Sequence, residues 1–211
     1  AGKDIIDGCS FDNNLPCIAE KECFAFSNIA DELIDSMIKN GAYMIDGDQV
    51  ERLKKIALIE KDGKFGINKK WVGKDASLFL KELGIDSDAK LIICETEEMH
   101  PFVQVEMMMP ILAIVRVNSI EEAIKMAVNA EHGNRHSAHI HSKNIDNITK
   151  YAKAIDTAIL VKNAPSYAGI GAGGEGYTTF TIAGPTGEGL TAAHSFTRAR
   201  RCVMVDGLHI I

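Results

Sequence analysis

The residue best suited to covalent chemistry is Cys17, which follows Asn13, Asn14 and Pro16 in the stretch NNLPC. A thiolate is a strong nucleophile, and a polar turn of amides and proline exposes a side chain better than a helix or strand interior does. We expect the amides of Asn13 and Asn14, or main-chain N–H groups of this turn, to face an oxyanion that forms beside the sulfur. A buried structural thiol is the competing interpretation, and these residues alone leave both open.

A cysteine hydrolase would need a histidine and an orienting amide or carboxylate next to Cys17. The chain has seven histidines, and their neighbours single out none of them for this role. His136, His139 and His141 lie close together, with the last two on one face of an expected strand, which also occurs in metal sites. No cysteine or carboxylate accompanies them at ligand spacing, so a half-buried strand face is the favoured interpretation and no metal is expected.

Two further motifs carry weaker signals. Residues 107–109 are three methionines, which would suit a soft metal but more commonly fill irregular gaps in a core or a pocket wall. Residues 171–176 match the G-x-G-x-x-G pattern of dinucleotide-binding turns. That pattern should open a helix, whereas the β-branched residues 177–182 follow it here, so the context argues against a dinucleotide-binding turn.

The elements that position these residues alternate between strands and helices. Compact apolar or alternating runs predict strands at residues 22–26, 90–94, 110–117, 138–141 and 157–161. The run at residues 110–117 is too continuous for an edge strand that faces water. This β-α-β rhythm predicts an α/β fold with a mainly parallel, twisted sheet flanked by helices.

Helices are predicted between these strands from caps and apolar periodicity. Asn28 is expected to cap a helix that ends at residue 41 and whose buried face carries Ile29, Leu33, Ile34, Met37 and Ile38. A second helix follows residue 48 with Val50, Leu53, Ile56 and Ile59 on its buried face, and a third runs from residue 75 to 84. Ser119 opens a helix through residue 127 with a capping box, and residues 145–155 form the last one.

The amino-acid composition argues against some classes of binding partner. The chain has 211 residues, is 46% hydrophobic and 25% charged, and carries a formal net charge of −6. This balance argues against binding to nucleic acid or to an anionic membrane. Five cysteines without a CxxC pair indicate a reducing, cytoplasmic environment. No apolar run approaches the roughly 20 residues that cross a bilayer.

Several of these motifs resemble those of one enzyme family. Residues 11–22, FDNNLPCIAEKE, are similar to the catalytic-cysteine segment of CoA-acylating aldehyde dehydrogenases, the propionaldehyde and acetaldehyde enzymes of propanediol and ethanolamine breakdown. The block VEMMMP at residues 105–110 resembles the superfamily's E-x-F-G-P motif. Residues 163–166 (NAPS), the glycine-rich loop, residues 180–189 (FTIAGPTGEG) and residues 197–201 (TRARR) complete the resemblance across the chain.

The resemblance implies a reaction and the residues that perform it. Cys17 would attack a short aliphatic aldehyde to form a thiohemiacetal, NAD would accept a hydride, and the acyl group of the resulting thioester would pass to CoA. Glu106 matches the family's glutamate that hydrogen-bonds the nicotinamide ribose. Met108 stands at the family's phenylalanine position, so an aromatic contact with the nicotinamide is not implied. The glycine-rich loop would form a wall of the active site.

The resemblance also implies a domain organisation. Residues 1–211 would form the catalytic domain, with a C-terminal oligomerisation segment at about residues 197–211. The family's N-terminal NAD-binding Rossmann domain would lie outside this chain. We therefore expect these residues alone to bind NAD weakly or not at all, and to be inactive without that domain.

Expected partners are the aldehyde, CoA, further copies of the chain and, in the full-length protein, a microcompartment shell or partner enzymes. The expected location is the cytoplasm or the interior of a bacterial microcompartment. Two other functions remain. One is a hydrolytic aldehyde dehydrogenase, in which water receives the acyl group. The other is a non-catalytic assembly module with the same fold.

Overall fold

The structure is a computed structural model that describes residues 1–174, 178–183 and 189–207. Its strands in chain order are β1 (Glu22–Phe26), β2 (Ala42–Met44), β3 (Leu58–Lys61), β4 (Lys64–Ile67), β5 (Leu91–Glu95), β6 (Ile111–Val117), β7 (Ser137–Ile140), β8 (Ile159–Lys162), β9 (Ile182–Ala183) and β10 (Gly189–Leu190). Its α-helices are α1 (Gly2–Cys9), α2 (Ala30–Lys39), α3 (Gly47–Ala57), α4 (Ala76–Glu82), α5 (Pro101–Gln104), α6 (Ile120–Glu131) and α7 (Ile145–Ile155).

Four of the strands form a parallel sheet in the order β1-β6-β5-β2. The central strands β5 and β6 are almost entirely buried, as their continuous apolar sequence predicts for strands covered on both faces. Strands β7 and β8 form a separate parallel pair. The predicted α/β fold with a mainly parallel sheet flanked by helices is confirmed.

Helices cover both faces of this sheet, so the molecule has two cores. One core joins α1 and α2 to the side chains of β5 and β6 that point to that face, among them Leu91, Ile93, Leu112 and Ile114. The other core lies on the opposite face, where α3, α4 and the end of α6 pack on the alternate residues, among them Ile92, Cys94, Ile111 and Ala113. This alternation follows from the two-residue side-chain period of a strand.

Several helix predictions need correction. Helix α2 begins at Ala30 without a side-chain cap, so Asn28 is not the N-cap. The α2 residues Ala30, Ile34 and Met37 are buried, whereas Ile29 and Ile38 are exposed. The prediction is therefore confirmed for Ile34 and Met37, at the centre of the face, and wrong for Ile29 and Ile38 at its edges.

The second and fourth helix predictions also had wrong ends. Ile59 lies in β3, where it is exposed, because α3 ends at Ala57 and the chain turns into an antiparallel hairpin with β4. Ser119 does cap α6, accepting from the main-chain N–H of Glu122 at 3.1 Å. The helix continues to Glu131, four residues beyond the predicted end. Helix α7 has the predicted bounds.

The C-terminal part of the chain has less regular structure. Residues 166–170 form a short 3₁₀ helix, and the strands β9 and β10 have two residues each. Parts of the G-x-G-x-x-G match, at residues 175 and 176, and the end of the predicted C-terminal oligomerisation segment, at residues 208–211, lie outside the described residues. Val203 and Val205 are exposed and not in a strand. Among the described helices, none is long and apolar enough to cross a membrane.

Candidate active site

A cleft of about 620 Å³ contains the predicted site residues. Cys17 precedes β1 and Glu106 precedes β6, and both are exposed and line this cleft. His136, which immediately precedes β7, lines it as well. The sheet connections thus bring together three segments that are widely separated in sequence, at the ends where their strands begin.

A left-handed stretch of backbone leads the chain toward Cys17. Asp12, Asn13 and Asn14 have φ angles of 46°, 53° and 63°. Asn and Asp adopt this conformation more readily than other residues with a side chain, because their short polar groups bond locally. A turn then follows in which Ala19 N–H donates to Pro16 O at 2.9 Å. This backbone reverses sharply over a few residues and leaves the Cys17 side chain at the cleft.

The two asparagines hold this turn and do not face the sulfur. Asn13 Nδ2 donates to Gly73 O at 3.1 Å and to Asp75 Oδ1 at 2.8 Å. Asn14 Nδ2 lies 3.0 Å from Cys9 O, 3.1 Å from Cys9 Sγ and 3.0 Å from the main-chain oxygen of Glu20. The expectation that these amides stabilise an oxyanion is therefore wrong, because their donors are already used in fixing the turn.

A chain of hydrogen bonds links the Cys17 turn to the segment that carries Glu106. Asn13 donates to Gly73 O, and the N–H of Gly73 donates to Met108 O at 3.0 Å. Met108 has a φ of 55°, and its neighbours Met107 and Met109 are buried. Met107 and Met109 therefore pack as expected for core residues, and this packing anchors the segment that carries Glu106.

The surroundings of the Cys17 thiol disfavour its thiolate form. Partial burial raises the pKa of the thiol, and the negative charge of Glu106 raises this pKa further. The main-chain N–H of Cys17 itself lowers the pKa, because it stabilises the thiolate. Among residues 1–174, no histidine is hydrogen-bonded to the Cys17 thiol, so no histidine of this range forms the pairing that a cysteine hydrolase requires.

Lys21 stabilises the site through contacts that the sequence did not indicate. Its ammonium group donates to Val103 O and, at 3.0 Å, to Ala130 O, and it pairs with Glu22 Oε2 at 3.1 Å. These contacts join the segment after Cys17 to the ends of α5 and α6. Val103 is three residues before Glu106, so Lys21 helps to fix the distance between the two candidate site residues.

Glu20 is a buried carboxyl group behind the same turn. Burial raises its pKa from 4.5 to about 7. Ser166 lies beside the carboxyl group and offsets part of this rise, but no hydrogen bond of normal geometry reaches either carboxyl oxygen. The carboxyl group occupies the space over Gly8 of α1, where an added Cβ would lie 2.5 Å from Glu20 Oε1. Glycine at this position makes room for the buried acid.

The three clustered histidines do not form a metal site. Burial and the proximity of His141 lower the pKa of His139 to about 4, so His139 is neutral near pH 7. The ring nitrogen Nδ1 of His136 instead contacts Ser137 Oγ at 3.1 Å. Within the described ranges, no group of three or more His, Cys, Asp or Glu side chains is arranged to hold a metal ion.

The fold and this cleft define an α/β domain that presents a cysteine and a glutamate from separate connections. The family model for the "Aldehyde dehydrogenase family" matches residues 87–198, which is more than half of the chain. The chain therefore belongs to the aldehyde dehydrogenase family.

Proteins named as acetaldehyde or propionaldehyde dehydrogenases are similar over the whole chain. The "Acetaldehyde dehydrogenase (acetylating) EutE" of Salmonella typhimurium is 46% identical across 100% of the chain and 46% of its own length. A solved propionaldehyde dehydrogenase from the Clostridium phytofermentans fucose utilisation microcompartment is 58% identical, covering 100% of the chain and 48% of its own, with a TM-score of 0.89.

A second solved structure is a Rhodopseudomonas palustris propionaldehyde dehydrogenase with bound CoA and an acylated cysteine. It is 54% identical, with a TM-score of 0.89 over 96% of the chain and 46% of its own length. The chain thus spans just under half the length of the relatives that it matches.

Proposed function

We propose that this chain is the catalytic portion of an NAD-dependent, CoA-acylating aldehyde dehydrogenase for short aliphatic aldehydes such as propionaldehyde or acetaldehyde. The observation that carries the proposal is the exposed Cys17 thiol in a cleft that it shares with Glu106. Support comes from the similarity to the Rhodopseudomonas palustris enzyme, whose structure contains CoA and an acylated cysteine.

The first steps of the proposed reaction take place at the Cys17 sulfur. The thiol releases its proton to solvent, and the thiolate forms a bond to the aldehyde carbon as the C=O π bond opens, giving the oxyanion of a thiohemiacetal. The main-chain N–H of Cys17, which stabilises negative charge on the sulfur, is the donor that we assign to the developing oxyanion. Loss of hydride from the thiohemiacetal carbon leaves a thioester on Cys17.

The second half of the reaction releases the product. The thiolate of CoA adds to the thioester carbonyl, the bond to Cys17 breaks, and acyl-CoA leaves with the Cys17 thiolate restored. A thioester keeps the acyl group activated for this exchange between two sulfur atoms. The raised pKa of Cys17 makes its thiolate a poorer leaving group. The contact with the main-chain N–H of Cys17 lowers this pKa and therefore makes the thiolate a better leaving group.

Glu106 is this chain's proposed contribution to binding NAD. An exposed carboxylate on the cleft wall can accept two hydrogen bonds, which suits the neighbouring hydroxyl groups of a ribose. The nicotinamide supplies the hydride acceptor. Most of the dinucleotide-binding surface is assigned, in this proposal, to a separate NAD-binding domain of the full-length protein, so residues 1–211 alone should bind NAD weakly.

The proposal extends to assembly and location. We assign residues from about 197 onward to oligomerisation, because the described part of this segment exposes Val203 and Val205, at 76% and 79%, without packing them on the domain. We place the full-length protein in the cytoplasm, inside a bacterial microcompartment. The Clostridium phytofermentans relative comes from such a compartment.

Mass spectrometry of the acyl-enzyme tests this proposal. The full-length protein, incubated with propionaldehyde and NAD but without CoA, should carry one propionyl group on the peptide that contains Cys17. Addition of CoA should remove the group and release propionyl-CoA. Loss of the propionyl group that proceeds equally well without CoA would indicate the hydrolytic reaction. Absence of the adduct from a protein that still functions in assembly would indicate the non-catalytic module.

A further inference from the structure

The ammonium group of Lys21 lies where three elements of the fold meet. It contacts Val103 O at the end of α5, Ala130 O at the end of α6, and Glu22 Oε2 at the start of β1. An ammonium group has three donors, which matches these acceptors in number. Only 22% of the Lys21 side chain is exposed. A lysine buried to this extent needs such partners, so the charge is held inside the protein by groups from separate elements.

The segment that carries Glu106 is tied to the Cys17 region on both sides. After Glu106, Met108 O accepts from Gly73 N–H at 3.0 Å, which connects the segment to the Cys17 turn through Asn13. Before Glu106, Val103 O accepts from Lys21. Loss of the Lys21 contact would leave only the tie at Met108 of these two, and the segment would then be free to pivot about it.

The contact with Ala130 adds a third segment of the cleft. The next residue, Glu131, accepts from the main-chain N–H of His136 through Oε1 at 3.1 Å, and His136 lines the cleft. The end of α6 also contacts the end of α5, because His132 Nε2 lies 3.1 Å from Gln104 O. The two helix ends and the ammonium group therefore form one connected support beneath the cleft.

A positive charge suits this place for an electrostatic reason. Val103 and Ala130 lie in the last turns of α5 and α6, where main-chain oxygens lack an intrahelical N–H partner and carry the negative end of the helix dipole. Both residues are buried. A methionine in place of Lys21 would fill similar space but would leave both oxygens without this donor, so the helix ends would shift to find other partners.

The Cys17 turn does not depend on Lys21 in the same way. Asn13 and Asn14 fix this turn through hydrogen bonds that do not involve the ammonium group. Loss of the Lys21 contacts should therefore displace the Glu106 segment and leave the Cys17 sulfur in place.

We propose that Lys21 is a positioning residue that hydride transfer requires and that acyl exchange with CoA does not. Hydride transfer needs the nicotinamide, whose ribose is the proposed partner of Glu106, at a fixed distance from the carbon bound to Cys17. A displacement of about 1 Å can slow such a step by roughly 100-fold. Acyl exchange takes place at the Cys17 sulfur and does not use Glu106. This inference rests on the proposed function and adds a residue that acts on one half of the reaction.

Two rates measured on Lys21→Met in the full-length protein test the inference. The first is NADH formation in the first turnover, with saturating propionaldehyde and NAD and without CoA, and it should fall at least about 30-fold. The second is transfer of the propionyl group from saturating propionyl-CoA to Cys17 without NAD, which is acyl release in reverse. Mass spectrometry of the Cys17 peptide follows this transfer, which should change by less than about threefold.

Lys54→Met is the matched control. The Lys54 side chain is 20% exposed, and its ammonium group pairs with Glu51 on the same helix at 2.6 Å. The control thus removes an ion pair of similar burial that joins no separate segments, and it should leave both rates unchanged.

Two outcomes would overturn the inference. An equal fall of both rates in Lys21→Met would mean that Lys21 supports the domain in general, and no change in either rate would mean that it positions nothing. If Lys21→Met does not fold, Lys21→Gln decides, because its shorter neutral side chain keeps a donor but does not reach all three acceptors. A fall confined to NADH formation supports the inference, and any other result rejects it. A parent protein that shows neither rate would reject the proposed function as well, and only then is the parent inactive.

Discussion

Asn14 and Glu20 are joined across the base of the Cys17 turn by a hydrogen bond of 3.0 Å from Asn14 Nδ2 to the main-chain oxygen of Glu20. The same amide also reaches the end of α1 through Cys9 O at 3.0 Å. The turn that presents the candidate nucleophile is therefore fixed at both ends by one side chain. Asn14 must therefore supply these hydrogen bonds, and it must also tolerate a left-handed backbone, because its φ is 63°.

Substitution of Asn14 separates these two requirements. Asn14→Ala removes the hydrogen bonds. It also places in the left-handed region an alanine, whose side chain cannot hydrogen-bond locally as that of asparagine does. The two effects together should lower the free energy of unfolding by about 2–3 kcal/mol. Asn14→Gly removes the same hydrogen bonds but tolerates the backbone, and should be the milder change by about 1 kcal/mol. Urea unfolding of both variants measures the difference. Equal stability of Asn14→Ala and the parent would show that this amide does not hold the turn.

Glu106 should tune the reactivity of Cys17. Glu106→Gln removes a negative charge that raises the pKa of the thiol, so more thiolate should be present at neutral pH. The rate of alkylation of Cys17 by iodoacetamide at pH 7.5 should rise roughly two- to five-fold, with the pH profile displaced to lower pH. The measurement follows the Cys17 peptide by mass spectrometry, because Cys202 is also exposed.

A distant charge provides the control for this experiment. Glu60→Gln removes a carboxylate from an exposed position on β3 and should leave the alkylation rate of Cys17 unchanged. A rate that falls in Glu106→Gln, or that rises equally in both variants, would contradict the direct influence of Glu106 on the thiol.

The buried Glu20 should make stability depend on pH. Its pKa is about 7 in the folded protein, against an ordinary value of 4.5, so the folded state binds the proton more tightly than the unfolded state. The contribution to stability is complete below pH 4.5 and is lost as the pH rises through 7. Glu20→Gln stays neutral, so its stability relative to the parent should increase by about 3 kcal/mol between pH 4 and pH 8. Parallel pH curves for the two proteins would refute the raised pKa.

The sequence predicted the positions of the strands better than it predicted which side of each helix is buried. Strand β6 and helix α7 are recognisable locally, since a continuous apolar run and a capped amphipathic segment specify them without reference to other parts of the chain. The orientation of α2 depends on α1 and on the sheet, so Ile29 and Ile38, which share its apolar periodicity, were wrongly assigned to the core.

The candidate site was predicted by residue type but not by its contacts. Cys17 and Glu106 stand out through the resemblance to aldehyde dehydrogenases, and their roles stay predictions. Apart from the neighbouring Glu22, the partners of Asn13 and Lys21 lie 60 to 109 residues away, so no local pattern indicates that these side chains hold the turn in place. Burial of Glu20 likewise arises from packing against Gly8, which only the folded structure brings close.

The measurement that tests the central claim most directly is NADH formation by the full-length protein with propionaldehyde and NAD, with and without CoA, beside its Cys17→Ala variant. The proposed function predicts sustained turnover only when CoA is present, and a loss of roughly a thousandfold or more in the variant because the nucleophile is gone. Sustained turnover that ignores CoA would place the protein among hydrolytic aldehyde dehydrogenases. Turnover that survives in Cys17→Ala would contradict the assignment of Cys17 as the nucleophile.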